Sequence, residues 1–279
     1  MNGEKKFLVT RDNLKLNLEI FESSKDSWLI VTHGVGEHLG RHKDYVLELF
    51  SSDYNIALYD LRGHGNSEGK KGWVAEFSHF YEDLSELIGF LKTDYKMENY
   101  SLFGHSMGAL ITAGFIQKNQ MSSLPERVFL NAPPASIPGF LGKVVDLVKS
   151  NWLEKLSEKG KGIYLKGLVD LNQLSHDKSV KDKYVNDELC LLSLNSALLF
   201  KMIREARNVF SKPLNVDYPV FCSVGSADKI VSAQALVEYF SFIEKNVRFK
   251  LIEGGFHEVH NEFDEYKKPY FDFLKSSLR

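Results

Sequence analysis

The sequence predicts an α/β fold in which a mostly parallel sheet is covered by helices. Short apolar runs recur along the chain, and such runs are typical of parallel strands that are buried on both faces. Segments with the apolar spacing of helices lie between them, and this alternation indicates right-handed β–α–β crossovers. The apolar runs occupy 28–32, 55–59, 100–103, 128–130, 220–224 and 247–252, and the helical segments occupy 42–50, 80–91, 108–117 and 233–243.

A strand of a different kind precedes these runs. Residues 14–20 alternate between apolar side chains, beginning with Leu14 and Leu16, and polar ones, beginning with Lys15. Alternation of period two indicates a strand with one buried and one exposed face. We therefore expect this strand to pair antiparallel near an edge of the sheet.

The strand–helix pattern breaks between residues 133 and 213, a stretch that looks mostly helical and has no comparable strand run. We predict that 133–213 form a helical cap over the carboxyl edge of the sheet, and that 1–132 and 214–279 form the core. The first part of the cap carries a broad apolar stripe, which either packs into the protein or meets a lipid surface transiently. Its members are Phe140, Leu141, Val144, Val145, Leu147, Val148, Trp152, Leu153 and Leu156.

Composition excludes several classes of protein. The 279 residues carry a net charge of -2, so no broad basic face is expected and nucleic acid is not a predicted partner. The two cysteines, Cys190 and Cys222, are far apart and match neither a disulfide scaffold nor a zinc motif. No metal or cofactor motif occurs, so we expect neither. Without an apolar leader or a run of about 20 apolar residues, the expected location is the cytoplasm.

The strongest chemical signal is the sequence GHSMG at 104–108, which has the GxSxG pattern. An apolar run precedes it and small, helix-compatible residues follow it. A strand–turn–helix of this kind exposes a nucleophilic serine at a tight turn, where side chains in place of Gly104 and Gly108 would clash. We predict that Ser106 is the nucleophile, at a helix N-terminus whose dipole favours developing negative charge. The alternative is a glycine-rich turn with an incidental serine.

A serine hydroxyl needs an adjacent base, and the acid that orients this base should lie between the serine and the base in sequence. His257 follows the last apolar run directly after two glycines, so we predict it as the base; His260 is the alternative. Asp228 follows the run at 220–224 and is predicted to orient the histidine. The alternative role for Asp228 is to cap the helix that begins near Val231.

Two backbone N–H groups should stabilise the oxyanion that forms during attack. The residue after the nucleophile, Met107, is expected to supply one of them. The loop at 33–38 is expected to supply the other, with Val35 as the candidate; an ordinary strand-to-helix connection is the alternative. We interpret His33 and His38 in the same loop as structural residues.

These motifs resemble the monoacylglycerol lipase and lysophospholipase branch of the α/β-hydrolases, which overlaps with the serine aminopeptidase-like hydrolases. The matching blocks are HGVGEH at 33–38 with Gly40 and Arg41, DLRGHGNSEG at 60–69, GHSMG at 104–108, VGSAD at 224–228 and the block around His257. Ala109 departs from the pattern, since members often carry glycine there. The 133–213 region matches only loosely, at 175–177 and Tyr184, so the resemblance leaves the acyl-chain preference open.

The resemblance implies hydrolysis of a carboxylic ester, with a monoacyl lipid as the favoured substrate. A second hypothesis is a peptidase or small-molecule esterase, in which Glu37 or Glu258 could hold a substrate amine. A third is a non-catalytic binding protein on the same fold, although serine, aspartate and histidine are present in the expected order. The sequence gives no oligomeric state.

Overall fold

The structure is a computed structural model that describes residues 3–118, 123–136, 162–167, 169–241 and 246–278. Eight of its strands form one sheet: β1 Glu4–Val9, β2 Lys15–Phe21, β3 Ser27–Thr32, β4 Asn55–Tyr59, β5 Asn99–His105, β6 Val128–Asn131, β9 Val220–Gly225 and β10 Val247–Ile252. Their spatial order is β1-β2-β4-β3-β5-β6-β9-β10. The six strands from β4 to β10 in this order are parallel, and β2 is antiparallel to both of its neighbours.

Helices cover both faces of the sheet. They are α1 Gly40–Phe50, α2 Ser78–Asp94, α3 Met107–Gln117, α4 Lys178–Asn186, α5 Ser196–Phe210, α6 Ala233–Ser241 and α7 Asp264–Ser276. Successive strand side chains point to opposite faces. Leu29 belongs to the apolar cluster that includes residues of α1 and α7, whereas Ile30 belongs to the cluster that includes residues of α2, α3, α5 and α6. The predicted α/β fold with a mostly parallel, helix-covered sheet is confirmed.

The strand predicted at 14–20 is confirmed as β2, antiparallel and near an edge of the sheet, but each edge has a feature that the sequence analysis missed. The sequence analysis did not identify β1, which is the outer neighbour of β2, so the alternating strand lies one position inside the edge. In β1 Leu8 is buried while Phe7 and Val9 are exposed, as expected where an edge strand pairs mainly through its backbone. At the other edge, β10 is not buried on both faces, because Arg248 and Lys250 are exposed.

The segment between β6 and β9, residues 133–213, is called the insertion below. Its described part contains α4 and α5, in agreement with the helical prediction, and also two strands that the sequence analysis did not predict. These are β7 Tyr164–Lys166 and β8 Ser193–Asn195, which pair antiparallel. Strands of three residues are too short to show a hydrophobic period. The whole apolar stripe, from Phe140 to Leu156, lies outside the described residues. The division into core and cap stays a prediction.

Both cysteines are free and buried, and Cys222 lies in β9 as a buried strand residue. Within the described ranges, no helix combines the length and apolar character that crossing a bilayer requires.

Candidate active site

Ser106 occupies the sharp turn between β5 and α3. Its φ is 53° and its ψ is -120°, a conformation that non-glycine residues rarely adopt and that strains the backbone. The Ser106 N–H donates to the Asn131 carbonyl at 2.8 Å. A Cβ at Gly104 would lie 2.4 Å from the Gly108 carbonyl oxygen, and one at Gly108 would lie 2.1 Å from the Thr32 carbonyl oxygen. The turn can form because both flanking residues are glycine.

A hydrogen-bonded chain of three side chains begins at this serine. The Nε2 atom of His257 lies 3.0 Å from Ser106 Oγ, and its Nδ1 atom lies 2.7 Å from Asp228 Oδ2. All three side chains are buried. The tautomer with hydrogen on Nδ1 satisfies both contacts, because Nδ1 then donates to the carboxylate and Nε2 accepts the serine hydroxyl. The structure thus brings together the three residues that the sequence analysis selected.

Parallel strands account for this convergence. Ser106 follows β5, Asp228 follows β9, and His257 follows β10, each just past the carboxyl end of its strand. The carboxyl ends of parallel strands meet at one edge of a sheet, which is where open α/β folds place their binding sites. Residues far apart in sequence therefore share one site.

The second carboxylate oxygen of Asp228 accepts hydrogen bonds from the backbone. Oδ1 accepts the N–H groups of Ile230 at 2.7 Å and Val231 at 3.0 Å, which fixes the loop after β9. Helix α6 is capped by Ser232, whose hydroxyl accepts the Ala235 N–H at 3.2 Å. Through Oδ1, Asp228 makes the cap-like contact of the alternative interpretation, at the turn just before α6 rather than at α6 itself, and its Oδ2 is left to bind the histidine.

The environment of His257 makes this imidazole more basic. Burial opposes protonation, but the charge of the adjacent Asp228 carboxylate and its hydrogen bond outweigh burial and raise the pKa of His257 above its ordinary value. A raised pKa favours transfer of the Ser106 proton to Nε2. The geometry and the charge distribution both suit a general base.

The alternative base, His260, has a different environment. Its ring stacks on Tyr45 with centroids 4.5 Å apart and lies 5.1 Å from the ring of His105. Burial, reinforced by His105 and His42, holds the pKa of His260 well below its ordinary value. His260 is a neutral packing residue behind the site.

The two predicted oxyanion donors lie beside the serine. Met107 is the first residue of α3, so its N–H has no acceptor within the helix. The loop that contains Val35 passes close to the nucleophile, since a Cβ on Gly34 would lie 3.2 Å from Ser106 Cβ. Val35 also lines the same cavity as Ser106 and His257. The assignment of Val35 and Met107 as donors stays a prediction that this placement supports.

His33 and His38, the two histidines of the 33–38 loop, have structural partners, as the sequence analysis proposed. His33 donates through Nδ1 to the Gly34 carbonyl at 2.8 Å and accepts the Leu61 N–H through Nε2 at 3.0 Å. Burial lowers the pKa of His33 to about 3, so the ring is neutral. His38 contacts Asp187 Oδ2 through Nε2 at 2.8 Å and thereby joins the loop to the insertion.

The acidic residues that could have held a substrate amine are bound to other protein groups. Arg41 donates to both oxygens of Glu258, at 2.8 and 2.7 Å, and this ion pair is buried. Glu37 lines the cavity, but one of its oxygens accepts the Gly34 N–H at 3.2 Å and contacts His42 Nε2 at 2.6 Å. These contacts support the loop at 33–38 and disfavour an amine-binding role. The sequence analysis did not identify either pair, although Arg41 lies in a block it singled out.

Among the described residues, two groups of side chains have ligand atoms within 4.8 Å of one another, close enough to hold a metal ion: Glu37, His105 and Glu258, and His38, Asp187 and Cys190. In each group the carboxylates are already used, by Arg41 and His42 in the first and by His38 in the second. The described residues therefore give no reason to assign a metal, and the expectation that none is required stays a prediction.

A cavity of about 330 Å³ lies over the serine and histidine. Its lining includes apolar residues from the 33–38 loop, the insertion and the loop after β9. Besides the serine and histidine, its polar members are Glu37, Asp170, Asn172, Lys181 and Tyr184. The apolar lining residues are Val35, Leu165, Val169, Leu171, Leu174, Leu191, Leu192, Leu194 and Ile230. This site can receive an apolar group beside a nucleophile.

A serine, an aspartate and a histidine, in this chain order and at the carboxyl ends of parallel strands, define an α/β-hydrolase. The chain belongs to the family described as serine aminopeptidase, S33, whose model matches residues 23–264. This membership agrees with the resemblance seen in the sequence.

Two proteins of similar sequence are named as a lipase and a phospholipase. Human monoglyceride lipase is 28% identical over 253 residues, which cover 87% of this chain and 79% of the relative. Phospholipase YtpA of Bacillus subtilis is 25% identical over 244 residues, covering 84% of this chain and 88% of the relative.

Among solved structures, a soluble variant of Saccharomyces cerevisiae monoglyceride lipase in complex with a substrate analog has a TM-score of 0.83 at 18% identity. That match covers 100% of this chain and 94% of the yeast chain. Monoacylglycerol lipase of Paleococcus ferrophilus has a TM-score of 0.77 at 22% identity, covering 94% of this chain and 98% of that one. These likenesses support the fold.

Proposed function

We propose that the protein is a carboxylic ester hydrolase that acts on monoacyl lipids through an acyl-enzyme on Ser106. The observation that carries this proposal is the hydrogen-bonded chain from Asp228 through His257 to Ser106, which opens on an apolar cavity. Family membership and relatives named monoglyceride lipase support the same class of reaction.

In the proposed reaction, Ser106 Oγ attacks the ester carbonyl carbon while its proton moves to His257 Nε2. The carbonyl oxygen becomes an oxyanion that accepts hydrogen bonds from the N–H groups of Met107 and Val35. The imidazolium, stabilised by Asp228, returns the proton to the leaving alkoxide, and the alcohol departs. Water then attacks the acyl-enzyme with His257 again as base, which releases the fatty acid and restores the serine.

The substrate preference follows from the cavity. Its apolar walls suit an acyl chain, and its polar members, including Asn172 and Lys181, suit a small hydroxylated head group. We expect turnover of a monoacylglycerol and of nitrophenyl esters, and much slower cleavage of proline naphthylamide, because Glu37 and Glu258, the two carboxylates considered for binding an amine, are already paired.

The test is a screen of purified protein across acyl lengths, with glycerol and phosphocholine head groups in separate arms and the amide as a third. Ser106→Ala serves as the blank for every substrate. A preference for the amide over every ester would contradict the proposal, and the ratio of the two head-group arms would distinguish a monoacylglycerol lipase from a lysophospholipase.

We also propose that the insertion contacts lipid surfaces transiently while it loads substrate. Ile163 is 73% exposed and Leu192 is 45% exposed, and Leu192 belongs to the wall of the cavity. Exposed apolar side chains beside a lipid-binding cavity favour contact with a bilayer. We expect the double variant Ile163→Asp/Leu192→Asp to sediment less with phosphatidylcholine liposomes than the parent protein.

The matched control is Phe7→Asp, which places a charge on a side chain that is 58% exposed on edge strand β1. Equal sedimentation of the parent protein and the double variant would remove this part of the proposal.

A further inference from the structure

The buried carboxylate of Glu262 joins the insertion to the loop that carries His257. Its Oε1 accepts the Phe256 N–H at 3.0 Å and contacts His176 Nδ1 at 2.8 Å. Its Oε2 accepts the His176 N–H at 3.0 Å and lies 3.0 Å from the Ser175 hydroxyl. Phe256 immediately precedes the histidine that contacts Ser106. We call these four contacts the Glu262 bridge.

The same two chain segments also pair through their backbones. The His257 N–H donates to the Gln173 carbonyl at 3.4 Å, and the Glu258 N–H donates to the Leu174 carbonyl at 2.8 Å. The His176 ring packs on the Phe256 ring, with centroids 3.7 Å apart. Since Leu174 lines the cavity, the segment that forms part of the substrate wall also contacts the histidine loop.

The histidine loop needs support of this kind because of its own sequence. Gly254 and Gly255 precede Phe256, and Gly254 has a φ of +71°, which is accessible mainly to glycine. Two consecutive glycines give the backbone few steric restraints. The glycines are held by the loop after β9, through Gly254 N–H to Ser226 Oγ at 2.8 Å and Ala227 N–H to the Gly255 carbonyl at 3.0 Å. Contacts beyond the glycines add to the positioning of His257.

We propose that Glu262 is a positioning residue that fixes His257 relative to Ser106 by joining the histidine loop to the insertion. The proposal rests on the proposed function, because it assigns a role in a reaction that uses His257 as base. Glu262 touches none of the reacting atoms. It acts by holding the Phe256 backbone, so its loss allows the imidazole to leave hydrogen-bonding distance of the hydroxyl.

The substitution Glu262→Gln keeps the size of the side chain, so it tests the hydrogen bonds of Glu262 separately from its packing. Each carboxylate oxygen faces a backbone N–H, one from Phe256 and one from His176, and these groups can only donate. The amide of glutamine has one oxygen, so its NH₂ group must face one of the two donors. Glu262→Gln therefore breaks one side of the bridge without opening a cavity.

The experiment measures the second-order rate at which a small fluorophosphonate labels Ser106, well below the melting temperature of every variant. We expect Glu262→Gln to lower this rate by up to about 100-fold, since a displacement of about 1 Å from productive geometry can cost on the order of 10²-fold. The matched control is Asp272→Asn, which removes an exposed carboxylate from α7 and should label at the parent rate.

Steady-state kinetics distinguish two roles for Glu262: positioning His257 and supporting the wall of the cavity. A displaced base lowers kcat by the same factor for a short nitrophenyl ester and a long-chain monoacylglycerol. A disturbed cavity wall instead raises KM for the long chain alone, and that result would overturn the proposal. Equal labelling rates for Glu262→Gln and the parent, with or without a lower melting temperature, would overturn it as well. A parent protein that does not label would overturn the proposed function itself.

A second variant covers the case in which Glu262→Gln does not fold. His176→Phe keeps an aromatic ring against Phe256 and removes only the Nδ1 contact to Glu262. We expect a smaller reduction in labelling rate in the same direction, and an unchanged rate would contradict the proposed coupling.

Discussion

Replacing Ser106 with alanine is expected to lower turnover of the preferred ester on the order of 10⁴-fold or more. The alanine has no oxygen to form the acyl-enzyme, so hydrolysis would have to proceed by direct attack of water. The fold should persist, because Ser106→Ala removes only the side-chain contact with His257 and keeps the N–H donated to Asn131. The measurements are kcat on a medium-chain nitrophenyl ester and mass-spectrometric detection of the fluorophosphonate adduct.

The control for this variant is Ser211→Ala, which removes an exposed hydroxyl at the end of α5 that bonds only locally to the Asn208 carbonyl. Activity of Ser106→Ala close to that of the parent would end the assignment of Ser106 as nucleophile. Persistence of the adduct in Ser106→Ala would show that the probe reacts elsewhere.

Substituting Asp228 by asparagine should lower kcat on the order of 10⁴-fold with little change in the backbone. The asparagine oxygen remains engaged by the N–H groups of Ile230 and Val231, so its NH₂ group must face His257 Nδ1. The imidazole then takes the other tautomer, with hydrogen on Nε2, and Nε2 cannot accept the proton of Ser106. A kcat within about tenfold of the parent would contradict this orienting role.

The pH profile checks the same contact independently. The base must be neutral to work, so kcat/KM should fall as the pH decreases through the pKa of His257, which lies above the ordinary value because the Asp228 carboxylate outweighs burial. Asp228→Asn removes the negative charge, so the acid limb of its residual activity should move to lower pH. An acid limb at the same pH in both proteins would show that Asp228 does not set the basicity of His257.

The three residues proposed to react could be selected from the sequence because their signals are local. Ser106 lies between glycines that a tight turn requires, and Asp228 and His257 each follow a strand-like run in the expected chain order. The turn geometry at Ser106, and its contact with His257, match that prediction in detail.

The supporting contacts could not be found in the same way. Arg41 pairs with Glu258, and His176 with Glu262, across long separations in sequence, and no spacing rule marks such pairs. The strands β1, β7 and β8 were missed for a related reason. They are short or exposed segments, which satisfy their backbones by pairing but bury too little apolar surface to give a periodic pattern.

The missing Cβ of Gly108 has a consequence for how this enzyme could change its substrate. Helix α3 rests directly on the Thr32 carbonyl at the end of β3, the strand that leads into the Val35 loop. This contact between α3 and β3 is made by main-chain atoms, and it helps to set the spacing between Ser106 and the loop that contains the proposed oxyanion donor Val35. Substitutions in the cavity wall should therefore leave the distance between Ser106 and the 33–38 loop unchanged, except near Leu174, where the wall also contacts the loop that carries His257.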